Sequence, residues 1–562
     1  MRRPPPDRVI PHVVAAVITA VVLAPLIRPG YVLRYDMVFV PRQPLSWEMI
    51  APAHELPRAV PLDALVSLAN LVVPGWLLQR IVLIAIVYLA ALGAARLVPT
   101  DRTATRVVAA VAYAWTPYLA ERLLIGQWGL LLAYAALPWI VAAARDLRAG
   151  RRGALARLVV AAAPAAVTPT GGVIAIGVVL VLLPGGFPGW RRVTAAAVGA
   201  VVTLNAPWLV TAVTSAVGGS SDPEGVAAFA ARAENWGGVL TALAGTGGIW
   251  NAQTVPASRS SFLVPLTTLL LLAVAAAGLR PLHRRMPDAA RRLALLAAGS
   301  FLLATAGLAP FAPALEWLVG AVPGAGLLRD GQKFLIPYAL ALALAVAVGA
   351  ETIAAVWARR LGPGSGWLAP TAVALLPVAV LPDLAFGAAG QLSPVRYPAD
   401  WDQVAARIAT APGDVLSLPF TGYQSYPWTR GIVVRDPAPR YLDAPVLIND
   451  VLRVGEVTVD GESPRAARVH AALDAGDPVA PLGFRWVLVR QGSATATVPA
   501  AAMEGYHPVF TGTNLQLWEN PGVSAPSAPP EGARWAAAVA HLMAALCLVF
   551  ALTKVLRRRV GT

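Results

Sequence analysis

VIPHVVAAVITAVVLAPLIR, residues 9–28, runs directly into PGYVLRYDMVFVP, residues 29–41. The first stretch is predominantly apolar and, at the helical rise, long enough to cross the hydrocarbon core of a bilayer. Arg2, Arg3 and Arg8 precede it, and no small-residue cleavage site follows cleanly. That combination predicts a retained signal-anchor in preference to a removed signal peptide. The second stretch carries one acid, Asp36, just beyond the span. A carboxylate there is a candidate catalytic base or cation anchor.

The remainder of the chain follows the same pattern. Of 562 residues, 57% are hydrophobic and 13% charged. A soluble protein carries roughly twice that charged fraction. Long uncharged Ala, Val and Leu runs predict a polytopic α-helical membrane protein, whereas an outer-membrane barrel would alternate. The net charge is +15. Arginines in short loops between spans explain it by topology and lipid headgroups, and no nucleic-acid partner is expected. Cys547, the single cysteine, falls in the last apolar run and can form no internal disulfide.

About twelve spans are expected. They lie near residues 9–28, 77–96, 106–120, 127–144, 155–168, 171–184, 193–214, 262–279, 291–308, 334–352, 366–385 and 534–555. With twelve, the clusters Arg145–Arg157, Arg191–Arg192, Arg280–Arg292, Arg359–Arg360 and Arg557–Arg559 all fall on the side of the basic N-terminus. The positive-inside rule makes that side cytoplasmic, with both termini there in the plasma membrane. Three units are expected: a transmembrane unit 1–385 with an outer loop 29–76, an extracytoplasmic α/β domain 386–532, and a final helix with basic tail 533–562. In the middle unit, strand-like runs Val415–Leu418, Gly431–Val434, Trp486–Val489 and Leu515–Trp518 alternate with helix-like Trp401–Thr410 and Arg465–Ala475.

Loop 29–76 holds Arg34, Asp36, Arg42, Trp47, Glu48, His54, Glu55, Arg58 and Asp63 among recurrent prolines. Proline fixes irregular backbone there, and Ala64–Val73 has the pattern of an interfacial helix. Glu121-Arg122, Gly126-Gln127-Trp128 and Arg329-Asp330-Gly331-Gln332-Lys333 sit at span ends facing the same side. Charges at such depth pair with one another or bind something. Asn251, Gln253 and Arg259 are hydrogen-bonding candidates in another loop, and Tyr423–Trp428 offers aromatic surface for a glycan or for packing. The histidines have no paired ligand spacing, so no metal site is assigned. There is no Walker A motif and no Gly-x-Ser-x-Gly.

The arrangement resembles the class C glycosyltransferases, integral membrane enzymes that use polyprenyl-phosphate sugars, and most closely actinobacterial members. The segments that carry the resemblance are Tyr35–Pro41, Trp115–Tyr118 through Trp128, Pro169–Gly172 and Arg329–Lys333. The resemblance implies transfer of a sugar of the arabinose or mannose class from a polyprenyl-phosphate donor to a cell-envelope glycan or lipoglycan. It makes Asp36 the catalytic base. Many members carry paired acids there, whereas this chain has Tyr35-Asp36-Met37, so Glu48 and Asp63 are candidates for a second carboxylate. Asp36 with one of them is also a candidate holder of a divalent cation. A lipid-phosphate donor needs cationic partners, for which Arg329, Lys333 and Arg122 are the candidates. Gln127, Trp128, Asn251 and Asp330 are the candidates for substrate contact. Two other readings stay open: a non-catalytic assembly partner in envelope biosynthesis, and a transporter of lipid-linked sugars.

Overall fold

The computed structural model describes residues 6–53, 56–215, 219, 221–491, 498–523 and 526–560, with no side-chain description at 6–8, 363 and 558–560. Arg2, Arg3, Arg8, His54, Glu55, Arg558 and Arg559 lie outside the described residues or side chains.

Each of the twelve expected spans falls on an α-helix. Six helices among the described residues are long and apolar enough to cross a membrane: Gly75–Leu97, Trp128–Arg148, Trp190–Thr214, Leu263–Arg285, the stretch ending in Ile336–Leu361, and Glu531–Arg557. A seventh span results if Leu368–Val380 and Pro382–Ala389, bent by 73°, count together. The chain is thus a mostly helical, multi-pass membrane protein. By this measure it has six to seven full spans against the twelve expected.

The difference comes from short and interrupted helices. The span expected over 106–120 is two helices, Thr103–Ala114 and Pro117–Leu124. Proline excludes the residue before it from helical backbone, and Thr116 is accordingly extended at φ −128°, ψ 152°. Thr116 then caps the new helix by accepting the Leu119 N–H, with Pro117 at the first helical position. Thr168-Pro169 starts Pro169–Leu182 in the same way. The helical body packs through small residues. Gly278 and Gly349 each lie against the other helix's backbone, at Ala345 and Val274, with no room for a Cβ.

Nine short strands follow among the described residues. They are β1 Val415–Leu418, β2 Tyr423–Ser425, β3 Val433–Arg435, β4 Val446–Leu447, β5 Leu452–Val454, β6 Val457–Val459, β7 Trp486–Arg490, β8 His507–Thr511 and β9 Leu515–Glu519. A mixed sheet runs β4-β1-β7-β9-β8, while β2–β3 and β5–β6 are separate antiparallel pairs. Helices Asp400–Ile408 and Pro464–Ala475 accompany the main sheet.

Residues 31–40 lie between the helical body and this sheet unit. Val32, Met37 and Phe39 belong to the core of the helices, whereas Leu33, Val38 and Val40 belong to the core of the sheet unit. Side chains of extended backbone alternate in direction, so one strip of chain serves two cores. Backbone contacts hold it on both sides. Gln79 copies a strand partner, bonding Val32 N at 2.9 Å and Val32 O at 2.7 Å. Tyr31 bridges Val395, and Tyr35 bridges Val434.

Candidate functional site

Asp36 sits at the tip of a tight reversal. Arg34 and Met37 exchange both backbone hydrogen bonds, at 3.2 and 2.8 Å, leaving Tyr35 and Asp36 as a two-residue turn. Tyr35 has φ +43°, a left-handed conformation that tight hairpin turns demand. Gly126 (φ +82°) packs directly beneath, where a methyl group would strike the Arg34 carbonyl and the Met37 amide. Asp36 N donates to Ile125 O at 3.2 Å, and Arg34 Nε donates to Leu124 O at 2.8 Å. The turn is therefore seated on the end of the Pro117–Leu124 helix.

From the other side, the sheet unit grips the same turn. Tyr35 N donates to Val433 O and Arg435 N donates to Tyr35 O, at 2.8 and 2.9 Å. The Tyr423 hydroxyl donates to Asp36 Oδ1 at 2.5 Å. Burial first, and then the Asp36 carboxylate, push the Tyr423 phenol well above its ordinary pKa, so it stays a proton donor. Arg440 reaches the Asp36 and Val38 carbonyls at 3.5 and 3.3 Å and pairs with Asp63 at 3.2 Å. Asp63 thus anchors Arg440, and Tyr423 holds the Asp36 oxygen where a paired acid was expected to act. Glu48 lies in the turn Trp47–Ile50 and accepts from Ala53 N at 3.3 Å.

A buried polar platform adjoins the turn. Arg122, with its side chain fully buried, makes a bidentate bond to Asp330 at 3.0 Å on each side. It also donates to Gln127 Oε1 at 2.6 Å and to Gln332 Oε1. Burial opposes the Asp330 charge, but Arg122 and Lys333 outweigh it and hold that carboxyl below its usual range. Trp250 Nε1 donates to the same carboxylate at 3.3 Å. Gln332 Nε2 donates to Glu121 Oε2 at 3.1 Å. With both Nη groups engaged inside the protein, Arg122 orders the platform and is not open to a donor phosphate. Trp128 is also interior, packed at 4.9 Å on Phe39. Asn251 caps its own turn by accepting from Gln253 N at 3.0 Å, while Gln253 Oε1 accepts from the Tyr35 hydroxyl at 2.5 Å.

Two expected cations stand at the accessible edge. Lys333 lies 3.5 Å from Asp330, its side chain 26% exposed, and it feels the Asp36 carboxylate. Arg329 pairs with Glu462 at 3.3 Å and has a buried Nη1 with no partner. Arg58 binds the same Glu462. Below the platform an apolar groove passes between Ala112, Leu271, Ala343 and Leu381 and rises to Thr246 and Arg259. Among the described residues, no group of three or more His, Cys, Asp or Glu side chains is placed to hold a metal ion. Asp36 and Asp63, the pair envisaged for a cation, are engaged by Tyr423 and Arg440.

Tyr423, Arg440 and Glu234 do not stand out individually in the sequence. Tyr423 lies within the aromatic run 423–428, and its polar tip is the available signal. Arg440 and Glu234 carry none, since both act only through folding partners.

No family model matches the chain. No curated protein matches it either. Among solved structures it resembles the mycobacterial arabinofuranosyltransferase AftD, with TM-score 0.59 and 18% identity over 94% of this chain. The R1389S mutant of that protein gives 0.56 and 19% over 92%. The chain shares the fold of that structure. The chain spans 40% of the length of AftD. This fold brings the first loop and the sheet unit together at Asp36.

Proposed function

We propose that this chain is a membrane glycosyltransferase that moves a sugar from a polyprenyl phosphate to a cell-envelope glycan or lipoglycan on the outer face. Arabinose and mannose are the sugar classes favoured by the sequence resemblance, and the name of the AftD neighbour favours arabinose. One observation carries the reading: Asp36 stands on a turn fixed from both sides, with Oδ1 held by Tyr423. In the proposed step, Asp36 takes the proton of the acceptor hydroxyl as its oxygen bonds to the anomeric carbon. The bond from that carbon to the phosphate oxygen breaks at the same time. Lys333 and Arg329 stabilise the departing phosphate, and the apolar groove takes the polyprenyl tail. This reading puts the termini in the cytoplasm and divides the chain near residues 385 and 533.

The test is Asp36→Asn in the full chain, assayed with polyprenyl-phosphate arabinose or mannose and an envelope glycan fragment. The variant should reach the membrane in normal amount and lose about 10²- to 10⁴-fold in transfer rate, the usual contribution of a general base. Undiminished transfer would remove Asp36 from the role. A non-catalytic assembly role is the second reading, favoured by the presence of one acid where paired acids are common. It predicts no donor binding and co-purification with another envelope enzyme.

A further inference from the structure

Behind the platform lie two carboxyl groups that the transfer step does not use. Glu121 is fully buried, and the side chain of Glu234 is 1% exposed. They meet at Gly247: a methyl group there would touch the Glu234 oxygens and lie 2.9 Å from Glu121 Oε1. Among the described residues, Arg259 Nη2 and Thr246 Oγ1 are buried nearby without a partner. Glu234 accepts from Gly248 N and from Arg259 Nε, the latter at 2.6 Å. Glu121 Oε2 accepts from Gln332, but Glu121 Oε1 has no donor at all. An oxygen that faces a second carboxylate in a dry interior, with no N–H or O–H between them, is strongly unfavourable if both are ionised.

The cations beside the pair are Arg259 and Arg122, while Lys333 pairs with Asp330 at 3.5 Å, so the unfavourable contact is local to the two carboxyl groups. The other titratable group facing Glu121 is Tyr118, on its own helix.

We infer that Glu121 and Glu234 share one proton, so that Glu121 is a carboxylic acid donating from Oε1 to an ionised Glu234. The orphaned Glu121 oxygen is then satisfied. Glu121 is a positioning residue. Through Gln332 it fixes Arg122, which holds Asp330 and with it Lys333. The inference rests on this geometry and is independent of the transfer reaction.

Infrared spectroscopy of the detergent-purified full chain tests it. At neutral pH the wild type should show a protonated-carboxyl C=O band, shifted by ¹³C-glutamate labelling and missing in Glu121→Gln. Coincident wild-type and variant spectra, or no glutamate-dependent band, would overturn it. Melting gives a second readout. Glu121→Gln, whose amide reproduces the donor, should melt as the wild type does, whereas Glu234→Gln should melt far lower because Arg259 is left unpaired. Equal losses in the two variants would overturn the asymmetry. So would stabilisation of the wild type, but not of Glu121→Gln, by Mg²⁺, Ca²⁺ or Mn²⁺, which would put a cation between the carboxyl groups in place of the shared proton.

Discussion

Tyr423 donates a 2.5 Å hydrogen bond to Asp36, a residue 387 positions earlier in the chain. The phenol comes from the sheet unit and the carboxylate from the first loop, so the candidate base is oriented by a part of the chain remote in sequence. Hydrogen bonds to charged groups contribute about 1.5–3 kcal/mol. Tyr423→Phe should therefore lower kcat by about tenfold to a hundredfold. KM should change little, because the phenol points at the base. Steady-state kinetics on both variables checks this.

The same phenol sets an alkaline dependence. Its pKa is raised in the folded chain, by burial and then by Asp36. The folded state thus holds this proton more tightly than the unfolded state, whose tyrosines titrate near pH 10. The stabilisation is complete below about pH 10 and is lost as pH rises through the folded pKa. In Tyr423→Phe, the fall in Tm above about pH 10 should be shallower than in the wild type. Other buried tyrosines titrate alongside, so the difference between the two proteins is the quantity to read.

Arg122 and Asp330 form a bidentate pair in the interior. Removing one partner of such a pair costs about 3–5 kcal/mol, since it leaves an uncompensated buried charge. Asp330→Asn and Arg122→Met should each lower Tm and the yield of folded protein. The double variant should lose less than the sum of the two, which a double-mutant cycle by melting measures.

Gly126→Ala combines a left-handed backbone with a methyl group aimed at the Arg34 carbonyl. The expected outcome is a chain that still inserts and melts cooperatively but loses most of its transfer activity, because the Asp36 turn is displaced. Normal activity would show that the turn tolerates movement.

Ala343 lines the apolar groove on helix Ile336–Leu361. Ala343→Trp fills it. Under the proposed function, KM for a long-chain polyprenyl donor should rise more than KM for a short-chain analogue, measured side by side.

Much of this fold can be read along the chain. The strand-like runs at 415–418, 486–489 and 515–518 coincide with β1, β7 and β9, because short apolar runs between turn formers are too brief for a helix and suit a buried strand. Every expected span lands on a helix. The span ends are less legible, since a Thr-Pro pair inside an apolar run splits one helix into two at Thr116 without changing hydropathy. At the site, Asp36, Asp330 and Lys333 stand out as charges at membrane depth. Their partners do not: Tyr423, Arg440 and Glu234 are ordinary residues until folding brings them to the turn and the platform. Arg122 shows the converse, an expected ligand whose donors are all directed inward.

The strip 31–40 divides its side chains between two cores, one made largely before residue 385 and the other after it. During synthesis the ribosome releases this strip early, but the residues that clamp it, Tyr423, Val433 and Arg440, emerge hundreds of positions later. A nascent or truncated chain can insert all its early helices and still present no oriented carboxylate. Under the proposed function, competence is tied to completion, and a half-made chain in the bilayer is chemically silent.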